Sequence, residues 1–414
     1  MKAAIASERR HDIDALRVIA FALLIVYHVG MFYVPDWHYH VKSDHSFEWL
    51  KLPMVVLNQW RMPLLFLISG VAVHFLLRNS GAGGFAWSRT KRLLLPLLFG
   101  MAVVVPPQAY FQALSNGAFE GNYAAFLVRY FTFQPWPPGA FDGSEPAGIT
   151  WNHLWYLPYL LLYSLLLAAL LPLMRSRAGV AFVRWWRGLR GLRLWVLPVL
   201  PLVLATWWLS ARYPTTRALF NDWHMHAQYL AMFLYGYWIG ADEGLWAELR
   251  RRRWWLLAGS VLTFAAFFWL GETTVPEPSF ARATYDFAQR LNGWTWVLLA
   301  LAWGHHLLNR PFRWLPYATQ AVYPWYILHQ SIIVAAGYGL ATLSLGPWLE
   351  PGLVLGATVL GSVLIAECIR RIAWLRPLFG MKRLPSRPAR NVAVVELGLE
   401  LPPSCIPDWS SRAD

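Results

Sequence analysis

Asp14, Arg17 and His28 share one apolar stretch, DALRVIAFALLIVYH. A guanidinium grips carboxylates and phosphates, and an imidazole exchanges protons near neutral pH. Ionisable groups are expensive inside a spanning helix, so each is a functional candidate. Arg17 and His28 are eleven residues apart. At about 100° per residue that is three turns plus roughly 20°, which places both on one helix face. Asp14 falls within about 40° of the same line. At about 1.5 Å per residue, Arg17 and His28 lie roughly 16 Å apart along the axis. One face then joins a charge at a membrane surface to a titratable ring in the bilayer interior. Arg17 also suits a positive-inside anchor, and His28 a packed histidine; the shared face weighs against both.

Further along, NQWRMPLLFLISG carries Arg61 and Ser69. Arg61 suits either a snorkelling interface residue or a grip on an anionic group. Ser69 with Gly70 reads first as a close helix crossing. RTKRLLLP supplies Arg89, Lys91 and Arg92, which topology explains and a phosphate-rich cofactor would also need. WNHLWYLPYL brings His153, Trp155 and Tyr156, and YPWYILHQ brings His329. Trp and Tyr belong at the interface in any case. His329 lies about 16 Å from its helix end, near the depth of His28. Two histidines and an arginine at such depth predict a polar cavity. Glu367 is placed to pair with Arg370 or Arg371 one turn on. No Gly-rich phosphate loop appears, and no metal site is expected: His305 and His306 are adjacent and point to different helix faces.

The elements that must hold these groups are set by composition. The chain is 57% hydrophobic and 14% charged, against roughly 25% charged in soluble proteins. Its apolar residues come in long blocks, so the class is polytopic membrane protein. The net charge of +14 does not imply a nucleic-acid partner, because the basic residues cluster between apolar blocks and orient helices there. Cys368 and Cys405 make no disulfide framework. The first residues are polar or small and do not read as a cleavable signal peptide.

Ten apolar segments can span, with cores near 15–34, 55–77, 92–112, 152–173, 194–211, 224–241, 254–270, 287–308, 318–343 and 350–370. Gly236, Gly240 and His226 dilute the sixth. Pro324 and several glycines predict a kink or break in the ninth. Basic residues fill every second loop: Arg78 with Arg89 to Arg92, Arg175 to Arg193, Arg250 to Arg253, and Arg310 with Arg313. Both tails are basic too, whereas the seventh loop is acidic (Glu272, Glu277). The positive-inside rule then places both termini in the cytoplasm. The expected fold is all-α, a bundle of about ten transmembrane helices. Residues 1–13 form a cytoplasmic tail, 14–372 the transmembrane domain, and 373–414 a polar, Pro-rich tail of poor order. The third loop, about 113–150, is extracytoplasmic and can cover a site; its QPWPPGAFDGSEPAG favours turns over helix.

Together and in order, these pieces resemble the acyltransferase-3 superfamily, integral membrane enzymes that O-acylate extracytoplasmic glycans. The resemblance runs from about Asp12 to Arg376. It rests on Asp14-x-x-Arg17, ten residues, then His28, followed by LLFLISG, RTKRLLLP, HLWYL and YILHQ. The branch it most resembles includes the glucan succinyltransferase of osmoregulated periplasmic glucans, through DIDALR, WHYHVKS and QWRMPLLFLISG. Ala15 and Val18 stand where the commoner opening has glycines.

The resemblance implies an O-acyltransferase of the bacterial inner membrane that binds no permanent cofactor. Its donor would be cytoplasmic acyl-CoA, acetyl-CoA or succinyl-CoA, and its acceptor a hydroxyl of an extracytoplasmic glycan. His28 would be the general base, with Arg17 and Asp14 in the catalytic set. Arg17, Arg89 and Arg92 would hold donor phosphates. Arg61 would bind a succinyl carboxylate, while His153, Trp155 and His329 would line the acceptor side. Ser69 as a covalent acyl carrier has no base shown beside it. The alternative is a transporter or flippase for an anionic glycan or lipid precursor, since buried Arg and His also fit a proton-coupled carrier. Transporters usually show two matching halves, and this sequence has none.

Overall fold

The computed structural model describes residues 10–383, apart from 79, 146–147, 241 and 272–278. Among the described residues every regular element is helical. The chain opens with α1 (His11–Tyr33), α2 (Lys51–Arg78), α3 (Ala82–Phe99), α4 (Pro106–Ser115) and α5 (Tyr123–Phe131). It continues with α6 (Tyr156–Arg175), α7 (Arg177–Arg187), α8 (Leu192–Val196), α9 (Val199–Leu209), α10 (Trp223–Ile239) and α11 (Glu243–Arg251). Then follow α12 (Arg253–Gly271), α13 (Phe280–Leu308), α14 (Leu315–Ala341), α15 (Leu349–Arg371) and α16 (Leu375–Leu378).

Each of the ten predicted segments falls on a helix or a helix pair. Six stretches are long and apolar enough to cross a membrane, and α3 with α4 makes a seventh if the bent pair is one span. The other three segments are α10, α13 and α14. All three carry buried polar groups, among them Gln228, Asn292 and His329, and α10 is also short at 17 residues. The acidic seventh loop lies outside the described residues, as do residues 1–9 and 384–414.

Helix α1 packs against α2, α13 and α14 and so runs through the middle of the bundle. Its first turn holds Asp12 and Asp14, where carboxylates favour the helix N-terminus. Asp12 also takes the Arg10 guanidinium at 2.7 Å and meets His305 of α13 at 2.8 Å. The helix ends at extended Val34, the residue before Pro35, where helical backbone is disfavoured. Its two ends are thus pinned, which fixes the face bearing Arg17 and His28.

Helices α2 and α10 cross at glycines. A Cβ at Gly70 would lie 1.9 Å from the Phe233 carbonyl oxygen, and one at Gly236 would lie 1.9 Å from that of Leu67. The close crossing read from Ser69-Gly70 is therefore present, and Gly236 is its partner. Gly236→Ala is expected to cost about 3 kcal/mol or more, because backbone must move to admit the methyl. Thermal unfolding of the detergent-purified protein checks this; an unchanged midpoint would show that the helices separate cheaply.

Three local features differ from expectation. Helix α14 is unbroken at Pro324, and a break with a 41° bend lies between α3 and α4. There Pro106 and Pro107 follow a π-helical turn at Gly100–Val104, and two consecutive prolines remove two backbone donors. The third loop contains α5, started by the Asn122 side chain accepting from Ala125 N–H at 2.9 Å; the Pro/Gly-rich stretch after it is irregular, as predicted. Residues 373–383 are folded: Arg376 is buried and donates to the carbonyls of Arg370 and Lys382, and Phe379 packs edge-on against Phe99.

Candidate active site

The C-terminal half of α1 faces a cavity of about 460 Å³. His28, Arg61, His153 and Trp155 line it, together with His40, Asp142, Arg217, Arg290 and Tyr326. His329 stands behind His28: His28 Nδ1 and His329 Nε2 are 2.9 Å apart, with the rings nearly parallel at 10°. The ring of His153 meets His329 edge-on at 5.3 Å. The three deep histidines therefore form one cluster, built from α1, α14 and the turn before α6.

Their hydrogen-bond partners settle the tautomers. His329 Nδ1 faces two carbonyls of its own helix, Tyr326 at 2.8 Å and Trp325 at 3.2 Å. A carbonyl only accepts, so Nδ1 carries the proton. In a neutral ring His329 Nε2 is then an acceptor, and His28 Nδ1 must donate to it. The lone pair of His28 is left on Nε2, and His28 lines the cavity. His153 Nε2 donates to the Ile327 carbonyl at 3.0 Å. Two backbone carbonyls thus orient a base through an intervening ring, the arrangement by which a positioned imidazole accepts a proton.

The loops at the cavity mouth add a second polar group. His40 Nδ1 lies 2.7 Å from Gln112 Oε1 and 3.3 Å from Asp142, which also contacts His38 at 2.9 Å. Burial pushes the His40 pKa down, although Asp142 pulls the other way, so the ring is neutral at pH 7. Burial raises the Asp142 carboxyl, but His40 and the bonds from His38 and Gln112 outweigh it and hold it below the usual carboxylate range. Arg61 is 4% exposed and lies over the Tyr27 ring at 3.6 Å. Arg217 and Arg290 reach the same cavity from the loop before α10 and from α13.

An aromatic layer closes the cavity toward the N-terminal half of α1. Phe21 packs 5.1 Å from Tyr326 and 6.4 Å from Tyr156, and Phe66 packs 4.7 Å from Tyr156. Tyr156 donates to the Leu65 carbonyl at 3.2 Å, so the hydroxyl of Ser69, 2.6 Å away, donates to Tyr156. Beyond this layer lie the other arginines. Arg17 and Arg89 are both within Coulombic reach of the Tyr156 hydroxyl, and Arg92 is within reach of both arginines. Arg89 is buried and donates to Ser164 at 3.3 Å; Arg17 stands 3.7 Å from Asp14. Among the described residues no group of three His, Cys, Asp or Glu is placed to hold a metal ion.

The profile of an acyltransferase domain matches residues 10–367, nearly the whole of this arrangement. The chain belongs to the acyltransferase-3 family. It is similar to Nodulation protein 10 of Rhizobium leguminosarum bv. viciae, with 29% identity over 166 residues. That match takes in 34% of this chain and 44% of the relative, less than half its length. No solved structure matches.

For this acyltransferase the predicted residues separate into two groups. His28, Arg61, His153 and Trp155 share the cavity, with His329 directly behind it. Arg17, Arg89 and Arg92 gather on the far side of the aromatic layer, with Asp14 beside Arg17. Ser69 belongs to neither; its hydroxyl is held by Tyr156. His40, Asp142, Arg217 and Arg290 were not read as site residues. Three of them stand in connecting segments, where no helical period reports a shared face. Arg290 carried a usable signal, a charge inside the eighth apolar segment.

Proposed function

We propose that this acyltransferase moves an acyl group from cytoplasmic acyl-CoA to a hydroxyl of an extracytoplasmic glycan, with His28 as general base. The observation that carries the reading is His28 on the wall of a polar cavity with its Nδ1 2.9 Å from His329 Nε2, a contact that leaves Nε2 as its acceptor. The acceptor oxygen attacks the thioester carbon as Nε2 takes its proton. The tetrahedral intermediate then collapses, the carbon–sulfur bond breaks, and the imidazolium returns the proton to the leaving thiolate. The product is an ester and free CoA.

Ten spans with both termini in the cytoplasm of a bacterial cell fit the alternation of basic loops. In that orientation Arg17, Arg89 and Arg92 face the cytoplasm and hold the phosphates of CoA, while the cavity faces the acceptor. The layer of Phe21, Tyr156 and Tyr326 lies between them, and the thioester passes it to reach His28. Arg17→Ala is expected to raise KM for acyl-CoA about tenfold to a hundredfold, because charge-assisted bonds to phosphate are lost. Steady-state kinetics of the purified protein check this, and an unchanged KM would remove Arg17 from the donor site.

The deciding experiment for the reaction is release of free CoA by the purified protein, with and without a glycan acceptor. Glycan-dependent release supports acyl transfer. Movement of an anionic glycan across proteoliposomes with no release of CoA would favour the carrier reading instead.

A further inference from the structure

We infer that the cavity contains an anion-binding subsite, formed by Arg61, Arg217 and Arg290, for a carboxylate or phosphate on one of the two substrates. The inference rests on the acyl-transfer reading and extends it from the reacting hydroxyl to the charge of the substrate. The cavity wall carries three guanidiniums against one carboxylate, Asp142. That carboxylate already contacts His38, His40 and Gln112.

Among the described residues none of the three is in ion-pair contact with a carboxylate, and Asp142 is the acid on the wall. Arg61 is 4% exposed, its Nε and Nη1 are buried with no hydrogen-bond partner, and its guanidinium rests on Tyr27. Arg290 has a buried Nε without a partner, and its Nη2 donates to the neutral Gln289 at 2.8 Å. Asp286, one turn earlier on its own helix, attracts Arg290 and also takes a bond from Arg282 at 3.1 Å. Arg217 is fixed through its backbone, in the left-handed region at φ 58°. Its N–H donates to Asp222 and its carbonyl accepts from Trp151, each at 3.0 Å. Asp222 also accepts from Tyr159 at 2.6 Å. All three arginines line the same cavity as Tyr229.

Arg61 is a buried cation with free donors, which is costly unless an anion answers it; Arg290 is half-buried and Arg217 is exposed at the cavity. Guanidiniums with several free N–H groups suit the paired oxygens of a carboxylate or phosphate. Tyr27, beneath Arg61, is the neighbour of His28 in sequence, and their rings are 5.8 Å apart. An anion on Arg61 therefore sits a short carbon chain from the base. It can belong to the acyl group, as in the mono-thioester of a dicarboxylic acid, or to the acceptor.

The test uses the full chain in lipid nanodiscs. Binding of succinate and of inorganic phosphate is measured by calorimetry, with uncharged succinamide as control. The wild type is expected to bind at least one of the two anions and not succinamide. Arg290→Gln and Arg217→Gln are each expected to weaken that binding at least tenfold. Equal binding of succinate and succinamide, or unchanged anion binding in both variants, overturns the subsite. In turnover, kcat/KM is compared for succinyl-CoA against acetyl-CoA on a neutral glucan, and for acetyl-CoA on an anionic against a neutral glycan. A preference for the charged partner that falls at least tenfold in Arg290→Gln supports the subsite, and the arm in which it appears assigns the charge to donor or acceptor. Turnover without charge preference overturns the subsite and leaves acyl transfer standing. Charge-dependent anion binding with no turnover of any donor does the reverse.

Discussion

His28→Ala is expected to lower kcat for the proposed glycan acylation about 10²–10⁴-fold, the usual contribution of a positioned general base. The protein still inserts, because His28 lines the cavity and carries none of the helix crossings that hold the bundle. The effect is expected on kcat rather than on KM for acyl-CoA, since the arginines proposed to hold the donor phosphates lie across the aromatic layer. His40→Ala is the informative companion. His40 is also a neutral imidazole on the cavity wall, with Asp142 beside its Nδ1. If the base is His28, His40→Ala costs much less, because its contacts hold a loop. A larger loss in His40→Ala than in His28→Ala would transfer the base to the His40–Asp142 pair. Quantifying acylated glycan by mass spectrometry, at matched protein levels, gives both numbers.

The depth of this site was legible because helix geometry is a ruler. Counting residues placed His28 and His329 at similar depths on separate helices, and in the structure their nitrogens are 2.9 Å apart. The same counting put Arg17 on the face of His28 and roughly three turns away. Between them on that face the structure places Phe21, whose contacts with Tyr156 and Tyr326 close the path. That closure was not legible, since an aromatic residue in a spanning helix looks the same whether it meets lipid or another ring. Loops have no such ruler. Arg217 is aimed by a left-handed backbone and two hydrogen bonds from distant residues, and Asp142 by a Gln112 side chain thirty residues away. Composition reported membrane helices well, yet three of the ten segments fall short as isolated spans. Those three carry Gln228, Arg290 and His329, so polarity spent on the cavity and on the ring behind it weakened the signal, and α10 is also short at 17 residues.

His329→Leu is expected to lower kcat about 10²–10³-fold without removing the base itself. His329 acts as a positioning residue: its Nε2 accepts from His28 Nδ1, and this keeps the lone pair on His28 Nε2. Leucine fills much of the space and offers no acceptor. His28 is then free to take the other tautomer, with its N–H toward the substrate, where it cannot accept a proton. In a serine–histidine–aspartate site, a wrong tautomer of this kind costs roughly 10⁴-fold. The expected loss here is smaller because no rigid donor forces the wrong form. Packing damage alone would give a different pattern. His329→Gln keeps an oxygen acceptor near the Nε2 position, so it is expected to recover at least tenfold of the activity lost in His329→Leu, while KM for acyl-CoA stays within about twofold in both. Equal activity in the glutamine and leucine variants would mean that His329 serves only to fill space. The orientation of His28 would then have to come from α1 alone, and its two ring nitrogens would be equivalent toward the acceptor.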